Sequence, residues 1–442
     1  MKNVLVYGLG VSGISSVKAL SKLGYKVYTY DKNKENIEQL KGYDYSPISH
    51  SKIMEIDYDF VVKSPGIKPS DDLLINLKSK YEVITDIEVS YRLFKNRDFL
   101  AITGTNGKTT TTSMITHILN KCGNPAESVG NIGEGILRKM LDDEKSVFVE
   151  ELSSFQLKDS PSYHPHIAGI LNITEDHIDW HGDYEDYINS KLNICKNQNR
   201  NDYLVINHDD GILQDNKSSF NAQIYEFSIK SKVNRGLYLD GDFIKFTDSI
   251  NEKQILNVND LMVIGKHNYQ NIMAAILMTY LFGLSFDQIA KAAKTFKSIA
   301  HRLEFVDEVK GVKIYNDSKA TNVDAAIKAI DSFNSPIIII AGGYDKKIDY
   351  SDYIKSFKKN GKHMVIIGET SDQLKDMCEE YDIDYVLAKD MDEAVKISTE
   401  TAKSGDIILL APASASWDMY KSYEARGDDF KEKIEKYKGN IK

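Results

Sequence analysis

Gly104-Thr105-Asn106-Gly107-Lys108-Thr109-Thr110 places two glycines, a lysine and several hydroxyls in one short segment. Glycines let backbone N–H groups close on a phosphate, a lysine offsets its charge, and a threonine hydroxyl suits a hard cation such as Mg²⁺. The apolar run Phe99-Leu100-Ala101-Ile102 precedes the segment and a helical pattern follows it. That is the setting of a loop that wraps the phosphates of ATP, with Lys108 on the β/γ-phosphates and Thr109 on the metal. The general pattern has a glycine five residues before Gly107; Ile102 stands there, so this loop is a shorter version. A chance strand-to-helix turn is the alternative, and the placement disfavours it.

Two further segments join this loop: Val149-Glu150-Glu151-Leu152-Ser153-Ser154-Phe155-Gln156 and Leu171-Asn172-Ile173-Thr174-Glu175-Asp176-His177. In a parallel sheet both emerge beside the phosphate loop, where Glu151 and a neutral His177 can bind one or two Mg²⁺ ions. Taken singly, each more often caps a helix or sits on the surface. Near the N-terminus, Gly8-Leu9-Gly10-Val11-Ser12-Gly13 follows an apolar run and Asp31 ends the next. This fits a dinucleotide fingerprint, and the spacing alone does not exclude a nicotinamide cofactor. The same glycines equally serve a tight turn and close helix packing.

The elements that must hold these residues alternate. Val4–Tyr7, Val27–Tyr30, Phe60–Lys63 and a run near Val83 read as strands of a small α/β unit. A second series starts at Phe99 and runs through Val147–Val149, Ile167–Ile173 and Tyr203–Ile206. Residues 215–260 turn to short pieces with Gly and Asp punctuation, read as β-hairpins, and a helix over 268–284 closes the domain. A third series has strand candidates Val312–Tyr315, Ile337–Ala341, Met364–Ile367 and Ile407–Leu410. The fold class is α/β in three domains: a Rossmann-like domain over 1–94, a P-loop ATPase-like domain over 95–298 and a Rossmann-like domain over 299–442.

With 442 residues the chain exceeds one core, and no apolar run reaches the length of a membrane span. Met1-Lys2-Asn3 leads straight into a strand instead of a signal peptide, so no export is expected. Three scattered cysteines, Cys122, Cys195 and Cys378, suggest neither disulfides nor a zinc site and fit a cytoplasmic setting. A net charge of −9 argues against nucleic acid as the main partner.

GTNGKTT, ELSSFQL, LNITEDHID, GKHNYQN, HRLE and YNDSKATN, in this order, resemble the Mur ligase family of ATP-dependent peptide-bond-forming enzymes. AGGYDKK and APASASWDMYKSYEARGDDF resemble its D-glutamate-adding branch, and the likeness runs from Gly8 nearly to Phe430. It implies that Gly104, Thr105, Asn106, Gly107, Lys108, Thr109 and Thr110 hold ATP phosphates, with Asn268, Asn271, Arg302 and Asp317 on adenine, ribose and phosphates. It implies two Mg²⁺ ions held by Thr109, Glu151, His177 and a carbamylated Lys191, with Lys108, His177 and Lys191 as the catalytic set. Without the resemblance, Lys191 reads as a solvated helix lysine. The N-terminal loop becomes a grip on UDP-N-acetylmuramoyl-L-alanine through Val11, Ser12, Asp31 and Lys32, with Asn131 near its peptide end.

D-Glutamate falls to Lys319, Thr321, Lys346, Ser416, Trp417 and Tyr423. Related sequences often carry Leu at Trp417, Phe at Tyr423 and Gly at Lys347. The implied enzyme is a cytoplasmic monomer that uses ATP and does not enter membranes. Rivals are a nicotinamide-dependent oxidoreductase, a regulatory P-loop ATPase and a ligase that extends a folate tail.

Overall fold

The computed structural model describes residues 2–33, 39–95, 97, 99–133, 135–143 and 145–441; Met1 of the N-terminal reading lies outside them. Three sheets organise the described residues. The first has five parallel strands in spatial order Ser46–Pro47, Lys26–Tyr30, Asn3–Tyr7, Phe60–Lys63 and Val83–Ile84. Its central strands are buried, and the helix Val11–Lys22 packs through Val17, Ala19 and Leu20. Gly13 is required there: a Cβ would lie 1.9 Å from the Gly8 carbonyl oxygen, so only glycine lets the helix approach the turn.

The second sheet has nine strands. Seven run parallel, in the order Gly236–Asp240, Gln223–Ser228, Tyr203–Asn207, Ile167–Ile170, Phe99–Thr103, Val147–Glu151 and Ala126–Gly130. The segment read as hairpins forms them, and they continue the same sheet: Phe243–Thr247 and Glu252–Asn257 add antiparallel beyond Gly236–Asp240. The third sheet orders Glu304–Val309, Val312–Asn316, Ile407–Leu410, Ile337–Ala341, Gly361–Ile366 and Tyr385–Leu387, with only the first strand antiparallel. The unbroken run Ile337-Ile338-Ile339-Ile340-Ala341 is buried throughout, as a central parallel strand covered on both faces requires.

The chain forms two compact units. One joins the residues up to Asp260 with Tyr269–Lys294 and carries the first two sheets; the other joins Leu261–Asn268 with the residues from Thr295 onward and carries the third. The α/β class read from the sequence holds, and the strand candidates lie within a few residues of the observed strands. The expected helix over 268–284 spans Lys266–Leu281. Among the described residues no helix is long and apolar enough to cross a membrane.

Candidate active site

The second sheet's parallel strands end together at their C-terminal edge, where ligands of such sheets sit. Strand Phe99–Thr103 delivers the phosphate loop, and the helix Lys108–Lys121 starts with its free N–H groups facing it. Gly107 has φ +87°, and an added Cβ would lie 2.2 Å from the Asn271 side-chain oxygen. Loop and Asn271 are therefore fitted to one another. Gly107→Ala should cost about 1–2 kcal/mol from the left-handed backbone alone. Denaturant unfolding should register that loss, and the KM for ATP should rise as Asn271 is displaced.

The loop is laced to the neighbouring strand end. Thr105 N–H donates to the Asn172 carbonyl at 2.9 Å, Asn106 N–H to Asn172 Oδ1 at 2.8 Å, and Asn172 Nδ2 returns a bond to the Asn106 carbonyl at 3.0 Å. Thr105 Oγ1 donates to the Thr174 carbonyl at 3.0 Å and lies 2.9 Å from the Tyr187 hydroxyl. Lys108 Nζ folds over the loop and donates to the carbonyls of Gly104 and Thr105 at 2.7 and 2.9 Å. Its charge sits where a terminal phosphate is expected. Thr109 and Thr110 occupy the first turn of the helix.

Lys191 is not solvated. It lies in the helix Tyr184–Leu192, is 2% exposed, donates to the same Gly104 carbonyl at 2.9 Å, and stands 4.7 Å from the Tyr187 ring centre. Burial, and secondarily the charge of Lys108, hold its amine well below the usual lysine value. On the strand adjoining the one that delivers the loop, Val147–Glu151, Glu151 stands in register with Ile102. Glu151 Oε1 accepts from Asn131 Nδ2 at 3.0 Å, while Oε2 is buried and has no hydrogen-bond partner among the described residues. An orphaned buried carboxylate oxygen at a sheet's ligand edge fits a cation.

His177 stands at the N-cap of the short helix Ile178–His181 with φ +54°, half-exposed, its ring 5.0 Å from that of Phe155 and its Nε2 3.5 Å from Asp176. No hydrogen bond or ion pair among the described residues joins it to Glu151 or Lys191. Nor do three or more His, Cys, Asp or Glu side chains gather there into a metal-holding group. The loop, Glu151, Asn131, Asn271 and Lys191 are thus brought together, and His177 is less closely drawn in.

Sequence reasoning missed the brace behind them. His181 is buried, its Nδ1 2.7 Å from Asp186 Oδ2 and its Nε2 2.9 Å from Ser154 Oγ, and Lys158 pairs with Asp186. This ties ELSSFQLK to DHIDWHGDYED, and the two histidines of DHIDWH were the available signal.

In the first sheet, a cleft of about 480 Å³ opens among Tyr7, Gly8, Gly10, Asp31, Lys32, Ser64 and Asp71. Asp31 accepts the Leu9 and Asn33 N–H groups, so one oxygen braces the glycine loop and the other its own turn. Lys32 pairs with Asp71 at 2.8 Å, and Ser64 Oγ donates to the Gly8 carbonyl at 2.8 Å. Val11 and Ser12 open the helix at the cleft's margin, and Val11 is exposed.

The second unit carries the remaining candidates. Asn268 Nδ2 donates to the Ile264 carbonyl at 2.7 Å. Asp317 is buried, accepts the Leu303 N–H at 3.0 Å, and its carboxyl is pushed up to about 6 by burial against the opposing pull of that bond and of Arg302. Lys319 lies 5.5 Å from the Tyr423 ring, the Thr321 N–H donates to the Lys319 carbonyl at 2.8 Å, and Ser416 is buried. Lys347 has φ +58°, the left-handed backbone for which a glycine is the relaxed choice.

Arg426 went unnoticed in the sequence. It is 1% exposed and donates to Ser318 Oγ and to the carbonyls of Ser318, Ser414 and Ala415, so it knits DSKAT to APASAS.

A family model described as Mur ligase middle domain matches residues 102–279, and one described as Mur ligase, glutamate ligase domain matches residues 301–414. The chain is 40% identical to a UDP-N-acetylmuramoylalanine–D-glutamate ligase of Thermoanaerobacter pseudethanolicus, over 98% of each chain. It is 41% identical to one of Clostridioides difficile, over 99% of each. A MurF ligase from Thermotoga maritima solved in complex with ADP shares the fold at a TM-score of 0.57 and 16% identity, over 97% of this chain and 98% of that one.

Proposed function

Since this chain belongs to the Mur ligase family, we infer that it is an ATP-dependent amide ligase that adds D-glutamate to UDP-N-acetylmuramoyl-L-alanine in peptidoglycan precursor synthesis. The observation that carries the chemistry is the phosphate loop closed against a buried amine, Lys191, and an unpartnered carboxylate oxygen, Glu151 Oε2. A carboxylate is a poor electrophile because oxide is a poor leaving group. An L-alanine carboxylate oxygen therefore attacks the γ-phosphorus of ATP and ADP departs. The D-glutamate amine then attacks the acyl carbonyl, phosphate leaves, and the nitrogen loses a proton.

In this reading the domains are 1–94 for the UDP end, 95–298 for ATP and 299–442 for the amino acid. Lys108 swings from the Gly104 and Thr105 carbonyls onto the transferring phosphoryl group, and the helix N-terminus supports the same charge. Thr109, Glu151, His177 and a carbamylated Lys191 hold Mg²⁺, with Glu151 Oε2 already stripped of other partners. When bound, the cation supplies charge neutralisation to the phosphates. Asn131 fixes the Glu151 carboxylate through its amide. The first-sheet cleft takes the uridine diphosphate, and Lys319, Thr321, Lys346 and Ser416 take the amino acid. The protein acts in the cytoplasm as a monomer.

Phosphate release with UDP-N-acetylmuramoyl-L-alanine and ATP, offering D-glutamate, L-glutamate, meso-diaminopimelate and L-lysine in turn, tests this. Only D-glutamate should support turnover; equal rates with another amino acid would overturn the substrate assignment.

Asp317 adds a pH dependence. Its folded-state carboxyl sits at about 6 against an ordinary 3.8, so the folded protein binds this proton more tightly than the unfolded chain. Its contribution to stability is full below the ordinary value and is lost as pH rises to about 6. A ribose hydroxyl needs the carboxylate as acceptor, so the KM for ATP should rise as pH falls through about 6. Asp317→Asn should flatten that profile, measured by ATP titration at each pH.

A further inference from the structure

We propose that Trp417, backed by Tyr344, acts as a positioning residue that holds the Lys346 ammonium as an uncompensated charge for the side-chain carboxylate of the incoming amino acid. This rests on the reading above of D-glutamate as the amino-acid substrate. Trp417 is 65% exposed and Tyr344 37%, large apolar surface that solvent would ordinarily disfavour. Their ring centres are 5.6 Å apart, and Lys346 Nζ lies 5.1 Å from the Trp417 centre.

The backbone beneath them is fixed. The Gly342 N–H donates to the Pro412 carbonyl at 2.9 Å and the Tyr344 N–H to the Ala415 carbonyl at 2.9 Å, which sets the AGGYDKK turn against APASASW. Gly343 permits this approach, because a Cβ there would stand 2.3 Å from the Ala415 carbonyl oxygen.

The charges in the turn are divided. Asp345, the nearest acidic side chain in sequence, pairs with Lys347, whose left-handed backbone turns it back on its neighbour. Lys346 is left with the indole face and, among the described residues, no carboxylate at ion-pair distance. A ring face attracts an ammonium through its quadrupole without neutralising it, so the charge stays available to an anion. The flanking rings also offer an apolar floor to a short methylene stem. A ligand with a carboxylate on such a stem, the side chain of glutamate, matches both.

The test is steady-state phosphate release by the full chain with D-glutamate as varied substrate. Trp417→Leu should raise the KM for D-glutamate about three- to tenfold while kcat and the KM for ATP hold within about twofold. Trp417→Phe should restore most of the loss, as a ring face remains. In a Lys346→Met background the same Trp417→Leu change should move the KM by less than about twofold, because the group it positions is gone. An unchanged KM in Trp417→Leu, or an equal rise with and without Lys346, overturns the proposal while an active wild type leaves the ligase reading intact. A wild type that turns over without regard to D-glutamate overturns both.

Discussion

Lys191→Ala should reduce D-glutamate-dependent phosphate release by about a thousandfold or more, the scale of losing a preorganised electrostatic group aimed at developing charge. The surroundings of this lysine bear on the proposed modification. Its amine is buried and placed beside a second cation, and both hold its proton less tightly than in an ordinary lysine. A neutral amine adds to carbon dioxide through its lone pair and releases one proton, which leaves an anionic carbamate where a protonated lysine would carry a positive charge. Acetate or another short carboxylic acid should then partly restore turnover in Lys191→Ala by filling the vacated space with a carboxylate. Near-normal activity in that variant would refute the role. Mass spectrometry of the native protein should show the added carbon dioxide, lost on acidification because the carbamate decomposes when protonated.

Lys108→Ala should also be severe, for a different reason. Lys108 is engaged with two loop carbonyls, so the variant loses a brace of the loop as well as a charge. Those carbonyls can take water at the loop surface, and the fold should persist with a native circular dichroism spectrum. Phosphate release should fall about 10²–10³-fold. Lys108→Arg should rescue poorly, because a planar fork does not replace a compact ammonium in a fitted loop. Substantial turnover in Lys108→Ala would remove the phosphate-loop assignment altogether.

What was legible in the sequence is what depends on neighbours in the chain. The phosphate loop announces itself because its glycines, lysine and threonines are adjacent and follow an apolar strand. The four-isoleucine strand at Ile337–Ile340 and the glycine turn at Gly8–Gly13 are readable for the same reason. Lys191 was not, since its burial comes from Gly104 and Tyr187 closing over it, and the first of these lies 87 residues away. Arg426 sits in a stretch crowded with acids and reads as a surface charge, yet four groups from two distant loops converge on it. The segment 236–257 gave its strands but not their sheet: local turn chemistry marks a hairpin and does not say what it pairs with. Asp31 matched a dinucleotide fingerprint by position, and the structure spends both its oxygens on backbone N–H groups of its own turn and the preceding loop.

The margins of the sheets bear on behaviour at high concentration. The first sheet is bounded by two strands of only two residues each, and one of them contains Pro47, which has no N–H to offer. The second sheet's outermost added strand begins Glu252-Lys253-Gln254, all exposed. An intruding strand finds few unpaired groups on the first sheet and like-charge or hydrated side chains on that margin of the second, which is how open sheets escape growing into one another. Such a chain can leave the ligand edge of its sheets open to solvent without offering these margins as a template for aggregation.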